Sequence, residues 1–123
     1  MVNDFRQFQA WQKAMDLSVK IYRLTEGFPK CERFGLVSQL RRASVSVAAN
    51  IAEGFGRYSF PDKQYKYVQA RGELVEVMTE LTLSSRVGYL EQDQNADLQN
   101  ECGEVHKILN ALISKMYTLT QAS

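Results

Sequence analysis

The sequence predicts an all-α fold, an antiparallel up-and-down four-helix bundle, and three observations lead to this prediction. Apolar residues recur at spacings of three and four along four long stretches, which is the period of an α-helix. Short segments that contain Gly or Pro separate these stretches, so consecutive helices should run antiparallel. No stretch shows the alternation that is typical of a strand. We therefore expect a single domain over residues 1–123, with helices at about 6–26, 32–54, 60–87 and 93–120.

The first predicted helix carries an apolar stripe that includes Leu17, Ile21 and Leu24. It should end at Gly27, because glycine suits the left-handed residue that follows a helix. Pro29 supports the same boundary, since the residue before a proline is pushed out of the helical region.

The second predicted helix lies within residues 38–57, which contain no Pro and no Gly before Gly54. One apolar seam runs through Leu40, Ala43 and Val47, and a second seam lies about a third of a turn away. A helix with two adjacent apolar seams is buried on more than one side. We interpret the second seam as additional core or as a subunit interface. Its members are Val45, Ala48, Ala52 and Phe55.

The third predicted helix has a strong start signal at Ser59. The hydroxyl of Ser59 can cap the helix, Pro61 fits the first turn, and Asp62 follows three residues after the cap. Gly88 supplies the opposite signal, so the helix should end near Val87.

The fourth predicted helix has the most regular pattern in the chain. Its apolar positions step by four and three without a break, as in a heptad repeat. They are Leu98, Cys102, Val105, Leu109, Leu112, Met116 and Leu119. Because Cys102 lies on this seam, we expect it to be a small buried hydrophobe and chemically inert.

The composition excludes several classes of protein. Two cysteines and one histidine are too few for a dedicated structural zinc site. Nothing approaches the ~18 consecutive apolar residues that a membrane span needs. The N-terminus carries Asp4 and no apolar run, so we expect no signal peptide. The expectation is a cytoplasmic protein with reduced thiols, no metal and no membrane partner.

The charges are unevenly placed along the chain. Residues 1–72 hold 12 Lys/Arg against 6 Asp/Glu, whereas residues 73–123 hold 3 against 8. A basic half can mark a nucleic-acid surface. It can equally mean that basic early helices pack beside acidic late ones, and we favour this second interpretation.

No pattern in the sequence is specific for catalysis. A single histidine, His106, cannot by itself indicate a Ser–His–Asp group. Glu73, Glu76 and Glu80 resemble the carboxylates of di-iron bundles, but no glutamate here has a histidine three residues later. We therefore expect a protein that is not an enzyme and that needs no cofactor.

Several polar residues lie in or near the apolar seams, where an isolated charge would be very costly. We expect them to form a structural polar network. They are Gln39, Arg42, Asn50, Glu53, Arg71 and Glu76. Within this set, the hypothesis is that Arg42 and Arg71 pair with Glu53 and Glu76 across the second and third helices.

Basic residues near the second turn are candidates for nucleic-acid contact, since Lys and Arg neutralise phosphates and aromatic rings stack on unpaired bases. The candidates are Arg33, Arg41, Arg57, Lys63 and Lys66, interleaved with Tyr58, Tyr65 and Tyr67. The alternative, a solvated basic surface with the tyrosines in the core, is at least as consistent with the sequence.

Several blocks of sequence resemble a known family. Gln39 to Ala43 read Gln-Leu-Arg-Arg-Ala, and Ala49 to Gly54 read Ala-Asn-Ile-Ala-Glu-Gly. With the segment that begins at Trp11, these blocks resemble the four-helix-bundle proteins encoded within bacterial 23S rRNA intervening sequences. They are similar also to the accessory protein of diversity-generating retroelements. The resemblance covers about residues 8–119.

This resemblance implies a small cytoplasmic protein that assembles as a homo-oligomer, in several members a homopentamer. It implies no catalytic residues, because the family has no established activity. The retroelement accessory protein is thought to engage nucleic acid, so the resemblance also implies RNA as a candidate partner. It favours a subunit interface at the second seam of the second helix. The expected function is a non-enzymatic homo-oligomer with an RNA-binding role, and the alternative is a protein–protein interaction scaffold without one.

Overall fold

A computed structural model describes residues 4–123 of the chain. Four α-helices account for most of this range: α1 (Gln9–Thr25), α2 (Leu36–Gly56), α3 (Phe60–Arg86) and α4 (Gln92–Ala122). Two short 3₁₀ turns, Phe5–Gln7 and Lys30–Glu32, precede α1 and α2. Residues 4–123 contain no strand, and the predicted all-α fold is confirmed.

The four helices form an antiparallel bundle in which each packs against two neighbours. α1 contacts α2 and α4, while α3 contacts α2 and α4. The α1–α2 edge and the α3–α4 edge are therefore opposite sides of the bundle. The predicted seams supply the core between them. Its largest fully buried side chains include Leu17, Ile21, Leu40, Ile51, Leu74, Leu81 and Leu109.

Both early helices begin later than the sequence predicts. The predicted start at residue 6 falls in a separate 3₁₀ turn, because the Asp4 side chain accepts a hydrogen bond from the Arg6 N–H and caps that turn. The predicted start at residue 32 also falls in a turn, and α2 begins only after Gly35. There the Glu32 carboxylate accepts from the Leu36 N–H at 3.2 Å.

The signals at the ends of α3 act as predicted. Ser59 is the N-cap, and its hydroxyl oxygen accepts from the Asp62 N–H at 3.2 Å. Gly88 follows the end of α3 with φ +88°, a conformation that a side chain would strain. The start of α4 uses a capping box between Glu91 and Gln94 that the sequence prediction missed.

Small residues set the helix spacing at two points. Between α1 and α2, the buried hydroxyls of Ser18 and Ser44 are hydrogen-bonded at 3.0 Å. Between α2 and α3, Gly54 lies directly against the ring of Tyr67, which is 2% exposed. The absence of a side chain at Gly54 therefore allows α3 to approach the end of α2.

Candidate functional site

The basic residues predicted to form one patch lie at opposite ends of the bundle. Arg33 and Arg41 are at the end where α1 meets α2, and Arg57, Lys63 and Lys66 are at the other end. Arg41 and Arg57 are separated by most of α2, about 24 Å at 1.5 Å per residue. The prediction of a single patch is therefore wrong, because one long helix holds its two halves apart.

Two of the three basic residues at the far end are used within the fold. The Lys63 ammonium donates to the carbonyls of Gly54 and Phe55 at 3.3 and 2.7 Å, and so caps the C-terminus of α2. Burial lowers the pKa of Lys63. Lys66 pairs with Glu53 at 3.0 Å, and its side chain is only 15% exposed. These lysines stabilise the α2–α3 turn rather than offer free charges to a ligand.

The three tyrosines near this end do not form one exposed aromatic surface, because one of them is buried. Tyr67 is buried in the core, and this burial raises the pKa of its hydroxyl to about 12. Tyr58, in contrast, is fully exposed beside Arg57. Tyr65 is exposed and accepts a hydrogen bond from Gln69 of its own helix.

The other end holds a basic and aromatic corner. The Arg41 guanidinium lies 4.6 Å from the ring centroid of Tyr22. The Arg33 guanidinium lies 5.7 Å from the ring centroid of Phe34. Phe34 is 90% exposed, which is unusual for so large an apolar side chain. We call these four residues the α1–α2 corner.

The predicted polar network forms only in part. Arg42 binds both carboxylate oxygens of Glu76 at 2.7 and 2.8 Å, and it reaches Glu73 at 3.4 Å. This pair crosses α2 and α3 as the hypothesis required. The bond lowers the pKa of Glu76, whereas burial raises the pKa of Glu73.

Other members of the predicted network have different partners. Arg71 donates to Asn110 of α4 at 2.9 Å, because its position on α3 is turned away from α2. Glu53 binds Lys66 and not an arginine. The pairing predicted for Arg71 and Glu53 is therefore wrong.

Two amides complete the predicted network, and neither bridges the helices. Asn50 donates to the carbonyl and hydroxyl of Ser46 within its own helix. Gln39 is exposed, and its side chain has no partner among residues 4–123.

Glu80 of α3, which follows Glu73 and Glu76 on the same helix, has an unusual environment. One of its carboxylate oxygens is buried and lacks a hydrogen-bond partner within residues 4–123. Burial, with the nearby charge of Glu76, raises the pKa of Glu80 to about 7. The carboxyl of Glu80 is therefore partly protonated at neutral pH, and its ionised form is destabilising.

The charge asymmetry of the sequence is partly used inside the bundle. Lys13 and Lys20 of α1 pair with Glu104 and Glu101 of α4 at 2.9 and 2.8 Å. With the Arg42 pairs, these contacts join basic early helices to acidic late helices, as the intramolecular interpretation expects.

The second seam of α2 divides into buried and open positions. Ala48 is 3% exposed and belongs to the core of the bundle, so it offers no surface to a second subunit. Phe55 packs on Phe8, with ring centroids 5.3 Å apart. Ala52 is half-buried, and Val45 is 46% exposed. Of the four residues assigned to an interface, Val45 is the one with a largely open side chain.

Two apolar patches lie on opposite edges of the bundle. The α1–α2 patch consists of Met15, Val19 and Val45, each more than a third exposed.

The α3–α4 patch consists of Val68, Val75 and Leu83, which are 40–48% exposed. Val75 and Leu83 line a groove of about 590 Å³ between α3 and α4, whose floor includes Met78 and Gly103. Sequence reasoning missed this patch, although its residues repeat at spacings of seven and eight off the core seam.

The described residues offer neither a metal site nor a membrane-spanning helix. Within residues 4–123, no group of three or more His, Cys, Asp or Glu side chains is placed to hold a metal ion. In the same range, no helix combines the length and the apolar character that crossing a membrane requires.

Comparison with known proteins places the chain beside one family. A family model described as 23S rRNA-intervening sequence protein matches residues 6–111. Among solved structures, the chain is similar to a protein of unknown function from the S23 ribosomal protein family of Bacteroides thetaiotaomicron VPI-5482. The two are 26% identical with a TM-score of 0.76, and the match covers 85% of this chain and 97% of that one. No curated protein matches this chain. The family match spans α1, α2, α3 and most of α4.

Proposed function

The chain belongs to the 23S rRNA-intervening sequence protein family, and on this premise we propose that it is a non-enzymatic homo-oligomer whose subunits associate head to tail. The observation that carries the proposal is the pair of apolar patches on opposite edges of the bundle. Each edge carries three exposed apolar side chains, and exposed apolar surface of this kind on a small protein is typical of an interaction site.

The placement of the patches favours head-to-tail association over a two-fold dimer. In a two-fold dimer one patch meets its own copy, and the patch on the opposite edge stays exposed to water. When the α1–α2 patch of one subunit meets the α3–α4 patch of the next, both are covered. Such an interface closes into a ring if the rotation between subunits is suitable. The homopentamer implied by the family resemblance is one such ring.

The groove between α3 and α4 supports this arrangement. Val75 and Leu83 line its wall, and Gly103 contributes no side chain to its floor. A row of side chains on a neighbouring helix can enter such a groove. Met15 and Val19 are spaced by one helical turn on α1 and provide a row of this kind.

Light scattering coupled to size-exclusion chromatography tests the proposal with two variants. Val45→Asp places a charge on the α1–α2 patch, and Val75→Asp places one on the α3–α4 patch. Each variant alone should be monomeric. An equimolar mixture should form a dimer and nothing larger, because it retains one intact junction. Thr118→Asp, on the outer surface of α4, is the matched control and should assemble like the wild type.

Two results would overturn head-to-tail assembly. One is a wild-type protein that is monomeric at every concentration, which would favour the alternative of a scaffold that waits for a different protein. The other is one variant that keeps the wild-type assembly, because both patches must contribute to every junction of a ring.

RNA binding is the second candidate function, and the α1–α2 corner favours it. Arg33 and Arg41 have no acidic partner within residues 4–123, in contrast to Arg42 and Lys66. Guanidinium groups that have no acidic partner and lie beside exposed aromatic rings suit a nucleic-acid strand. Fluorescence anisotropy with a labelled RNA at low salt tests this function. The affinity should fall as salt rises, and an absence of binding at low salt would exclude it.

A further inference from the structure

The α1–α2 corner surrounds a concavity of about 420 Å³. Tyr22, Arg33, Phe34 and Arg41 line it, and Val37 contributes to its floor. A smaller concavity of about 180 Å³ adjoins it and shares Arg33, Val37 and Arg41. The larger volume falls in the range of sites that hold small ligands. The two arginines therefore stand between two depressions rather than on a flat surface.

Arg41 is held in a fixed orientation by groups that do not neutralise it. Its Nε donates to the Thr25 hydroxyl at 3.0 Å, and one terminal nitrogen donates to the Tyr22 carbonyl at 3.1 Å. The Tyr22 ring supports the guanidinium plane at 4.6 Å. A guanidinium has five N–H donors, so donors remain for an anion. The side chain is thus preorganised and still fully charged.

The acid closest in sequence to Arg33 is occupied elsewhere. One oxygen of Glu32 accepts from the Leu36 N–H at 3.2 Å, and the other accepts from the Tyr89 hydroxyl at 3.0 Å. The Glu32 carboxylate therefore binds the start of α2 and the turn between α3 and α4, and not Arg33. Arg33 has no ion pair within residues 4–123, and its guanidinium lies 5.7 Å from the centroid of the exposed Phe34 ring. The corner keeps a positive balance beside a flat apolar surface.

The combination of these features selects the chemistry of the ligand. An inorganic anion would use the arginines and leave the Phe34 ring in water. An uncharged apolar ligand would use the ring and leave Arg41 unused. An unpaired nucleotide presents a flat base and a phosphate on one unit, and it can use both. A base in a duplex is already stacked and cannot reach the ring.

We propose that the α1–α2 corner binds an unpaired nucleotide of a single-stranded nucleic acid, with its base stacked on Phe34 and its phosphate held by Arg41. This inference rests on the RNA-binding function proposed above and assigns it a site. Arg33, whose guanidinium lies 5.7 Å from the centroid of the Phe34 ring, adds a second positive charge near the phosphate.

Fluorescence anisotropy with labelled oligouridine, oligothymidine and a duplex of equal length tests the inference. The single strands should bind more tightly than the duplex. Phe34→Ala should weaken single-strand binding about 5- to 140-fold, the usual range for loss of one stacked base. Arg41→Gln should lower the affinity and reduce the salt dependence by about 0.7 in log–log slope. Arg33→Gln, at an exposed position, should act in the same direction.

The far end of the bundle supplies matched controls. Arg57 and Tyr58 are an adjacent arginine and an exposed aromatic, but they lie far from the corner. Tyr58→Ala should leave single-strand affinity unchanged, and Arg57→Gln should change it much less than Arg41→Gln does. Circular dichroism and light scattering on each variant confirm that the fold and the assembly are intact.

Each outcome bears on the proposal. Wild-type binding that is unchanged in Phe34→Ala and Arg33→Gln would overturn the corner site and leave RNA binding standing. Duplex binding as tight as single-strand binding would also overturn it. An absence of binding of every probe at low salt would overturn both the corner site and the RNA-binding function. The proposal of head-to-tail assembly would be unaffected, because light scattering tests it separately.

Discussion

Gly54→Ala is the sharpest test of how α2 and α3 pack. A Cβ atom at this position would lie 2.6 Å from Cε1 and 2.9 Å from Cδ1 of the Tyr67 ring. Ordinary carbon–carbon contacts are about 3.5–4.0 Å, so the overlap approaches an ångström. The Tyr67 ring has little room to move away from the added methyl group, because Tyr67 is 2% exposed. The ring of Phe8 is also close, with ring centroids 6.4 Å apart.

The expected effect combines two opposing contributions. Overpacking a well-filled core costs about 1–3 kcal/mol. Replacing a helical glycine by alanine stabilises the helix by up to about 1 kcal/mol, because alanine has the higher helix propensity. The variant should therefore be less stable than the wild type by up to about 2 kcal/mol. Gly72→Ala is the matched control, since Gly72 is helical, exposed and has nothing within 4 Å of the added Cβ. It should gain about 0.5–1 kcal/mol.

Urea denaturation followed by circular dichroism measures both free energies of unfolding at one fixed protomer concentration. A double-mutant cycle with Tyr67→Leu then isolates the contact. Because the smaller side chain makes room for the added methyl group, the cost of Gly54→Ala should fall in that background. Equal stability of Gly54→Ala and Gly72→Ala, or the absence of coupling to Tyr67, would refute the argument.

Two further predictions concern titratable groups. The pKa of Glu80 is raised in the folded state to about 7, so its ionisation destabilises the fold progressively as pH rises from the unfolded value through about 7. Glu80→Gln should therefore be more stable than the wild type by ~1–2 kcal/mol at about pH 8. It should be nearly equal to the wild type at about pH 4, and a stability difference that does not change with pH would contradict the assignment. Cys102 is buried, which raises the pKa of its thiol to about 12, whereas Cys31 is exposed. A thiol reagent should modify Cys31 at once and Cys102 only after unfolding. Native Cys31→Ser should then be unreactive, and rapid modification of that variant would show that the bundle opens.

Several residues that begin or end the helices act locally, and the sequence pattern identified those at the two ends of α3. Ser59 caps α3 through a neighbour three residues away, and Gly88 ends it through its own φ angle. The core seam of α4, including Cys102, follows from a repeat of three and four residues. Signals of this kind need no knowledge of any other helix.

The partners of the polar residues depend on more than the sequence pattern. Arg42 and Arg71 have similar positions in the sequence pattern, near the apolar seams. In the structure, however, Arg42 of α2 reaches Glu76 of α3, whereas Arg71 of α3 reaches Asn110 of α4. Their angular positions on different helices decide which acid or amide each can reach. Ala48 is 3% exposed for the same reason, because neighbouring helices and not its own spacing decide whether it is covered.

The candidate corner also depends on tertiary structure. Tyr22 and Arg41 are 19 residues apart, and they meet only because α1 and α2 run antiparallel. Arg41 and Arg57 are closer in sequence, but a rigid helix separates them by most of its length.

The sequence by itself determined the helices, their caps and the stripes that form the core, because those features depend on spacings within one or two turns. It also contained the second apolar seam of α2 and the uneven charge. Only the tertiary structure decided that Ala48 is core while Val45 is surface, that the basic residues separate into two ends, and that two apolar patches lie on opposite edges. The physical reason is that burial, charge pairing and the formation of a concave site are properties of neighbouring helices, whose positions are set by packing.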